Sequence, residues 1–511
     1  MLATAHTLAL VGLEAHAVRV EVQSGRGTAS FDVVGLPETT VRESRVRVRA
    51  ALERVGVLLH SHCLTVNLAP ADLRKNGSAF DLAIAIAVLG AVGALPEESF
   101  SDIHFLGELS LTGALRPVRG LLPRLLAARD RGVRLVVVPR ANEGEAAALG
   151  DGTLEVRTAC DLGEVLAHLR GEEPLPAPRR PASPRPTLGD DLAEVQGQPL
   201  ARRALEVAAA GGHDLLMLGP PGAGKTMLAR RLPSLLPPLS DEEALVVTAI
   251  HSVAGILPEG VGLVRERPFR APHHSVSDAG LLGGGDPARP GEISLAHAGV
   301  LFLDEFPEFR RNVIEGLRQP LEDGTISVVR ASWSAVFPAR PLLVAAMNPC
   351  PCGKHPTNSC VCTPDRVRQY RGRVSGPLLD RIDLQLVLPR VEVAALAAVT
   401  PTGESSAVVR DRVLKAREVQ AARRMCGEVE VSTNARLSAR SLQRVAGLDA
   451  TARAELAAAA QRLDLSARAY GRLQRVARTL ADLEGTDAVH ARHVNEAVHF
   501  RHLDPGRDAA A

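Results

Sequence analysis

The segment Gly219-Pro220-Pro221-Gly222-Ala223-Gly224-Lys225-Thr226 restricts this chain more than any other. It fits G-x-x-x-x-G-K-[ST] in full, follows the apolar run Leu215 to Leu218 and precedes a helical stretch. A buried strand, a glycine-rich turn and then a helix are the context the pattern needs. The glycines let main-chain N–H groups turn inward around phosphate oxygens, and the next helix adds the positive end of its dipole. Lys225 is then placed to bridge the outer phosphates, and Thr226 to offer an oxygen to Mg2+. Such a strand needs neighbours on both sides, so the expected fold class is α/β, a parallel sheet with helices on both faces.

Two further apolar runs support that sheet. Val300 to Leu303 ends in Asp304-Glu305, which puts Asp304 in reach of Mg2+ and Glu305 where it can polarise an attacking water. Leu342 to Ala346 leads to Asn348, whose amide either orients that water or the terminal phosphate, or forms the turn before Pro349. Together these residues predict binding and hydrolysis of ATP with Mg2+. Pro199 to Ala210 reads as the helix before the first core strand.

The chain has 511 residues, enough for about three domains. Pro174 to Thr187, PLPAPRRPASPRPT, has no apolar periodicity and reads as a stiff linker. The expected division is 1–170 for an α+β N-terminal domain, 171–190 for the linker, 191–395 for the nucleotide core and 396–505 for an all-helical lid. Val18 to Val22, Leu64 to Leu68 and Leu135 to Val138 read as strands of the first domain. No internal repeat is visible. Aromatic residues are only 3%, so Leu, Val and Ala must fill the cores. Sixty basic and 58 acidic residues give a formal charge of +2, so any nucleic-acid contact must come from local patches.

No targeting pattern is visible at the N-terminus, where Leu8 to Leu13 is short and ends at Glu14. The longest apolar run, Leu82 to Leu95, is shorter than the roughly 20 residues that span a bilayer and predicts a buried helix. No membrane partner is expected. Seven cysteines, an odd number, do not suggest a disulfide framework, and a cytoplasmic location follows.

The core resembles the magnesium-chelatase-like AAA+ proteins, and most closely the ComM (YifB) competence-protein family. The resemblance rests on Phe269 to Ser275, Gly283 to Gly285, Pro290 to Glu305, Leu317 to Glu322, Ala345 to Gly353 and Gly376 to Asp383. It covers nearly the whole chain and departs at Pro341, where the family usually has Phe. It implies a homo-oligomeric ring, a hexamer, with ATP sites between subunits. It also implies that Arg381 is the finger reaching a neighbour's γ-phosphate, with an ion pair to Asp380 or Asp383 as the plainer role. Leu465 to Arg472 matches the sensor helix of the lid, which makes Arg468 the first choice to touch nucleotide, with Arg472 and Arg475 as rivals. The activity implied is a DNA helicase or branch-migration motor acting on single-stranded or branched DNA during natural transformation. A chelatase ATPase subunit and a nucleotide-switched protein remodelling factor are the alternatives.

Asn67 to Asp81 and Gly107 to Ala128 resemble the Lon protease domain. Alignment places Ala79 at that family's serine and Leu122 at its lysine, so neither nucleophile nor base is present. Ser78 lies one residue away without a paired Lys, and no peptidase activity is expected.

Cys350, Cys352, Cys360 and Cys362 fall within one loop, 350–362, with His355 between them. Four thiolates in so short a loop suit tetrahedral zinc, with reduced thiols as the plain alternative. Cys63, Cys160 and Cys426 are isolated. Asp323-Gly324 followed by β-branched residues reads as a hairpin turn, flanked by Arg330 and Arg340. In relatives this insertion, and the one around His273 to Gly285, project toward the ring's pore. Arg366 to Arg373 is a basic run that either tracks phosphates, with Tyr370 stacking on bases, or forms a solvated helix face. His273 and His274 suit either a loop near phosphate or metal, or a structural pair.

Overall fold

The structure is a computed structural model that describes residues 1–149, 152–179, 190–258, 260–330, 333–390 and 403–501. The part of the proline-rich stretch at 180–189 lies outside the described residues, as does 391–402, where the lid was expected to begin.

The N-terminal part is built on a mixed seven-stranded sheet. Its centre is the long antiparallel hairpin of Leu2–Val11 and Glu14–Arg26, with Leu2 opposite Gln23 and Val11 opposite Glu14. His62–Ala69 and Ser30–Val34 extend one side, while Ile103–Phe105, Leu135–Pro139 and Glu155–Ala159 extend the other in parallel. The apolar run starting at Leu82 is a helix, Asp81–Ala91, buried at every position. It stops four residues before Leu95, and the chain takes a left-handed turn at Gly93, φ +80°. The start of the proline-rich stretch does not float free. Leu175 is buried, and Thr158 donates its N–H to Pro176 O at 3.0 Å.

The core is a five-stranded parallel sheet in the order Phe269–Arg270, Val300–Leu303, Leu342–Met347, Leu215–Leu218, Leu384–Val387. The three central strands are buried at every residue, as a sheet covered on both faces requires. Helices Pro199–Gly211 and Lys225–Leu235 pack in the same core cluster, and the lid helices Ser406–Met425, Ala450–Arg462, Ala467–Glu484 and Ala491–His499 close over it.

The hairpin exists, but its turn is not Asp323-Gly324. Those residues end helix Arg318–Asp323, and Gly324 caps it at φ +71°. The arms are Thr325–Arg330 and Trp333–Pro338, with Arg330 opposite Trp333. Asp-Gly serves equally as a helix stop and a hairpin turn, and local sequence does not separate the two.

The N-terminal part docks on the core helix Asp241–Ala254. Gly120 N–H donates to Ser252 O at 3.1 Å, and Ser252 Oγ donates to the buried carboxylate of Glu145 at 2.5 Å. Glu145 also accepts from Leu122 N–H and the Asn142 amide.

Candidate nucleotide site

The glycine-rich loop leaves strand Leu215–Leu218 at the C-terminal edge of the sheet. Gly219 lies so close to Leu388 O that a Cβ there would come within 2.9 Å of it. Gly222 and Gly224 have φ of +80° and +85°, the left-handed region that side chains rarely adopt. Helix Lys225–Leu235 begins at once, so its free N–H groups face the loop.

Lys225 is 8% exposed. Its ammonium donates to Gly219 O at 2.6 Å, Pro220 O at 3.0 Å and Asn348 Oδ1 at 3.1 Å. Burial lowers its pKa, and Asp304 and Glu305 oppose that. Thr226 Oγ1 donates to Asp304 Oδ2 at 2.8 Å. A hydroxyl and a carboxylate so paired at a strand tip offer hard oxygen ligands to Mg2+. Glu305 takes a left-handed backbone, φ +52°, and its carboxylate meets His274 Nδ1 at 3.2 Å. A cavity of about 610 Å3 opens over the loop, with Lys225, Thr226, Asp304, Glu305 and Asn348 in its wall. A second, of about 300 Å3, shares Thr226, Asp304 and Glu305 and adds Arg230, His273 and His274.

The fold thus gathers Lys225, Thr226, Asp304, Glu305 and Asn348 from three strand ends. It also brings in His274, which the sequence offered for a loop near phosphate or metal, and Arg230, which it did not single out. His274 lies on a loop about 30 residues before Glu305, and Arg230 lies one helical turn after Thr226. Neither spacing signals a shared cavity.

The arginines assigned to the site are elsewhere. Arg381 lies three residues before Leu384, the residue that pairs with Leu215 at the start of the parallel strands. It therefore sits at the N-terminal edge of the sheet, opposite the glycine-rich loop. Its guanidinium is nearly buried and pairs with Glu322 at 2.5 Å, not with Asp380 or Asp383. Asp383 instead takes Arg472 at 2.5 Å and His213 at 2.9 Å, and the Arg472 guanidinium and His213 hold its carboxyl well below the usual carboxylate range despite burial. Arg475 donates to Leu437 O, and Arg381, Arg472 and Arg475 line one cavity of about 180 Å3. Arg468 is exposed at the start of its helix and is not part of that cavity's wall. In no described contact does any of these four touch the glycine-rich loop of its own chain.

Tyr370 is not available for stacking. It is 4% exposed in the core beneath the sheet, and burial pushes its hydroxyl up to about 12. Much of the basic run is engaged: Arg368 pairs with Asp365, Arg371 Nε donates to Pro349 O at 3.2 Å, and Arg373 meets Glu308 at 2.8 Å.

The four loop sulfurs lie within 4.8 Å of one another. Cys350 to Cys352 is 3.4 Å, Cys352 to Cys360 is 3.6 Å and Cys350 to Cys360 is 3.7 Å. His355 contributes its main-chain N–H to Cys350 Sγ at 3.4 Å, and its ring is not part of the group. Main-chain N–H groups of Val361 and Lys354 aimed at Cys352 hold its thiol below the ordinary value.

The strand order and the glycine-rich loop define the class, an AAA+ P-loop ATPase. The family described as magnesium chelatase, subunit ChlI, matches residues 191–396. Subunit ChlI of Mg-chelatase matches residues 20–142, and magnesium chelatase, subunit ChlI C-terminal, matches residues 403–501. The chain is 44% identical over 505 residues to YifB of Escherichia coli (strain K12), covering 98% of this chain and 97% of that one. It is 43% identical over 510 residues to competence protein ComM of Haemophilus influenzae, again covering 98% and 97%. It belongs to the YifB and ComM family of magnesium-chelatase-like AAA+ ATPases. A weaker likeness, 27% over 165 residues, links 31% of this chain to Lon protease of Rhizobium meliloti. Among the described residues no helix is long and apolar enough to cross a membrane.

Proposed function

We propose that this chain is an ATP-driven motor that works as a ring on single-stranded or branched DNA, with helicase or branch-migration activity. The observation that carries the reading is the separation of Arg381 from Lys225 across the sheet. A guanidinium stabilises charge on a transferring phosphoryl group only from close by. An arginine at the opposite edge serves that role for a neighbouring subunit's nucleotide. Arg472 and Arg475, beside it, join it at the same interface. A hexamer is the ring proposed, as in the sequence resemblance. Lys225 and Thr226 hold MgATP, Asp304 ligates the metal, Glu305 polarises the water and Asn348 orients it.

DNA as the substrate is supported by the relative's name, a competence protein, and by the two insertions, which lie side by side. Trp333 Nε1 donates to Asp286 Oδ1 at 3.3 Å, tying the hairpin to the residue that directly follows the 273–285 segment. Val329 and Val336 stand exposed on the hairpin, at 71% and 50%, beside Arg330. The N-terminal part is proposed to dock on the core and not to cleave peptides. Ala79 and Leu122 are buried, and Ser78 Oγ donates to Glu108 instead of meeting a lysine. A cytoplasmic location fits this work. The four thiols are proposed to hold Zn2+.

The test is ATPase turnover with and without single-stranded DNA, with unwinding of forked and four-way substrates, for wild type, Lys225→Ala and Glu305→Gln. Wild type is expected to be stimulated by DNA in a salt-sensitive way. Lys225→Ala should lose nucleotide, and Glu305→Gln should bind it without turnover. ATP hydrolysis that ignores DNA, with no unwinding, would sink the DNA reading and leave the ATPase.

A further inference from the structure

The cysteine loop is tied to the nucleotide site at two points and closed at its base by a third contact. Its first cysteine, Cys350, is fully buried and follows Asn348 by two residues. Asn348 is the residue that accepts from Lys225. Its fourth member, Gly353, has φ +73° and is seated under Pro221 of the glycine-rich loop, where a Cβ would lie 2.5 Å from the proline Cδ. The helix that follows, Pro364–Arg371, returns to the loop's base through Arg371 to Pro349 O. Zn–S bonds of about 2.3 Å put tetrahedral sulfurs about 3.8 Å apart, close to the spacings of Cys350, Cys352 and Cys360. Soft, all-sulfur tetrahedral sets select zinc over magnesium or calcium.

We infer that Zn2+ held by Cys350, Cys352, Cys360 and Cys362 is a brace for the nucleotide site, fixing Pro221 from outside through Gly353 and Asn348 from behind through Cys350. Residues 350–362 carry no regular secondary structure, and among the described residues no other group of this kind holds their shape. A metal that ties two ends of such a loop replaces the missing core. The four thiolates take no part in chemistry, and Cys352 and Gly353 are positioning residues. The inference rests on the reading of this site as an ATPase.

The experiment begins with metal analysis of the full chain purified without added metal. One zinc per chain is expected. Replacement by Co2+ should give the thiolate charge-transfer and strong visible bands of a tetrahedral sulfur site. Both readouts are independent of turnover, so they stand or fall apart from the ATPase reading. Zinc below a tenth per chain, or a coloured iron centre, overturns the assignment. Cys352→Ser should lose zinc and reduce kcat for ATP by about 10²-fold, the effect of a misplacement near 1 Å. Gly353→Val should keep zinc and lose activity to a similar degree, because the added side chain strikes Pro221. A zinc-free chain, made by chelation and tested for recovery on adding Zn2+ back, guards against a variant that fails to fold. Wild-type turnover and nucleotide affinity in either variant, or in the chelated chain, overturns the brace.

Discussion

At the residue scale, the nucleotide site depends on three contacts that hold Lys225. The ammonium is nearly buried, and two of its partners are main-chain carbonyls that no substitution removes. Asn348 is the one side chain among them. Asn348→Ala is expected to lower kcat by about 10²-fold while nucleotide still binds, since the amide is proposed to act on the reacting end. Steady-state kinetics beside a nucleotide-binding titration checks this, and an equal loss of affinity would contradict it. Glu305 differs in kind. Its left-handed backbone costs about 1 kcal/mol and holds its carboxylate against His274. His274→Ala should therefore alter turnover without loss of ATP binding. Equal kcat in the variant and the wild type would remove His274 from the site.

At the scale of elements, helix Asp81–Ala91 shows how a buried helix sets a pH response. Asp81 opens it with a carboxylate that is fully buried, paired with Arg47 at 2.6 Å and accepting Leu109 N–H at 3.1 Å. Burial outweighs these partners and raises its pKa from 3.8 to about 6. The native state therefore holds this proton more tightly than the unfolded chain does. The contribution is present below pH 3.8 and is lost as pH rises through about 6. Asp81→Asn should flatten that slope, narrowing the difference in stability between pH 4 and 7 by up to about 3 kcal/mol. Urea unfolding of both proteins at the two pH values measures it, and parallel slopes would refute it. Arg47→Ala removes the partner that lowers this pKa, so the Asp81 pKa should rise further and the loss should move to higher pH.

At the scale of the whole molecule, Arg381 and Lys225 occupy opposite edges of one sheet, so each proposed active site takes its lysine from one subunit and its arginine from the next. Lys225→Ala and Arg381→Ala should each be inactive alone. A mixture of the two should regain part of the wild-type rate, since some interfaces then combine an intact lysine with an intact arginine. Absence of any recovery at concentrations that support assembly would exclude the shared site. The sequence by itself determined what depends on neighbours along the chain. The strands ending at Leu218, Leu303 and Met347 were legible because buried parallel strands are continuous apolar runs. Lys225, Thr226, Asp304, Glu305 and Asn348 were legible because each stands at a fixed offset from such a run. The helix after Asp81 was legible from composition alone. Tertiary structure decided what depends on meetings across the fold. Asp323-Gly324 became a helix cap and not a turn, because packing of the preceding helix chose between two local conformations open to the same dipeptide. Tyr370 went inside, although its basic neighbours suggested an exposed face. Arg381 found Glu322, 59 residues upstream, instead of the adjacent aspartates. Gly353 met Pro221 across more than 130 residues, a contact with no trace in the spacing of either, because burial against a distant surface is a property of the folded chain and not of any segment of it.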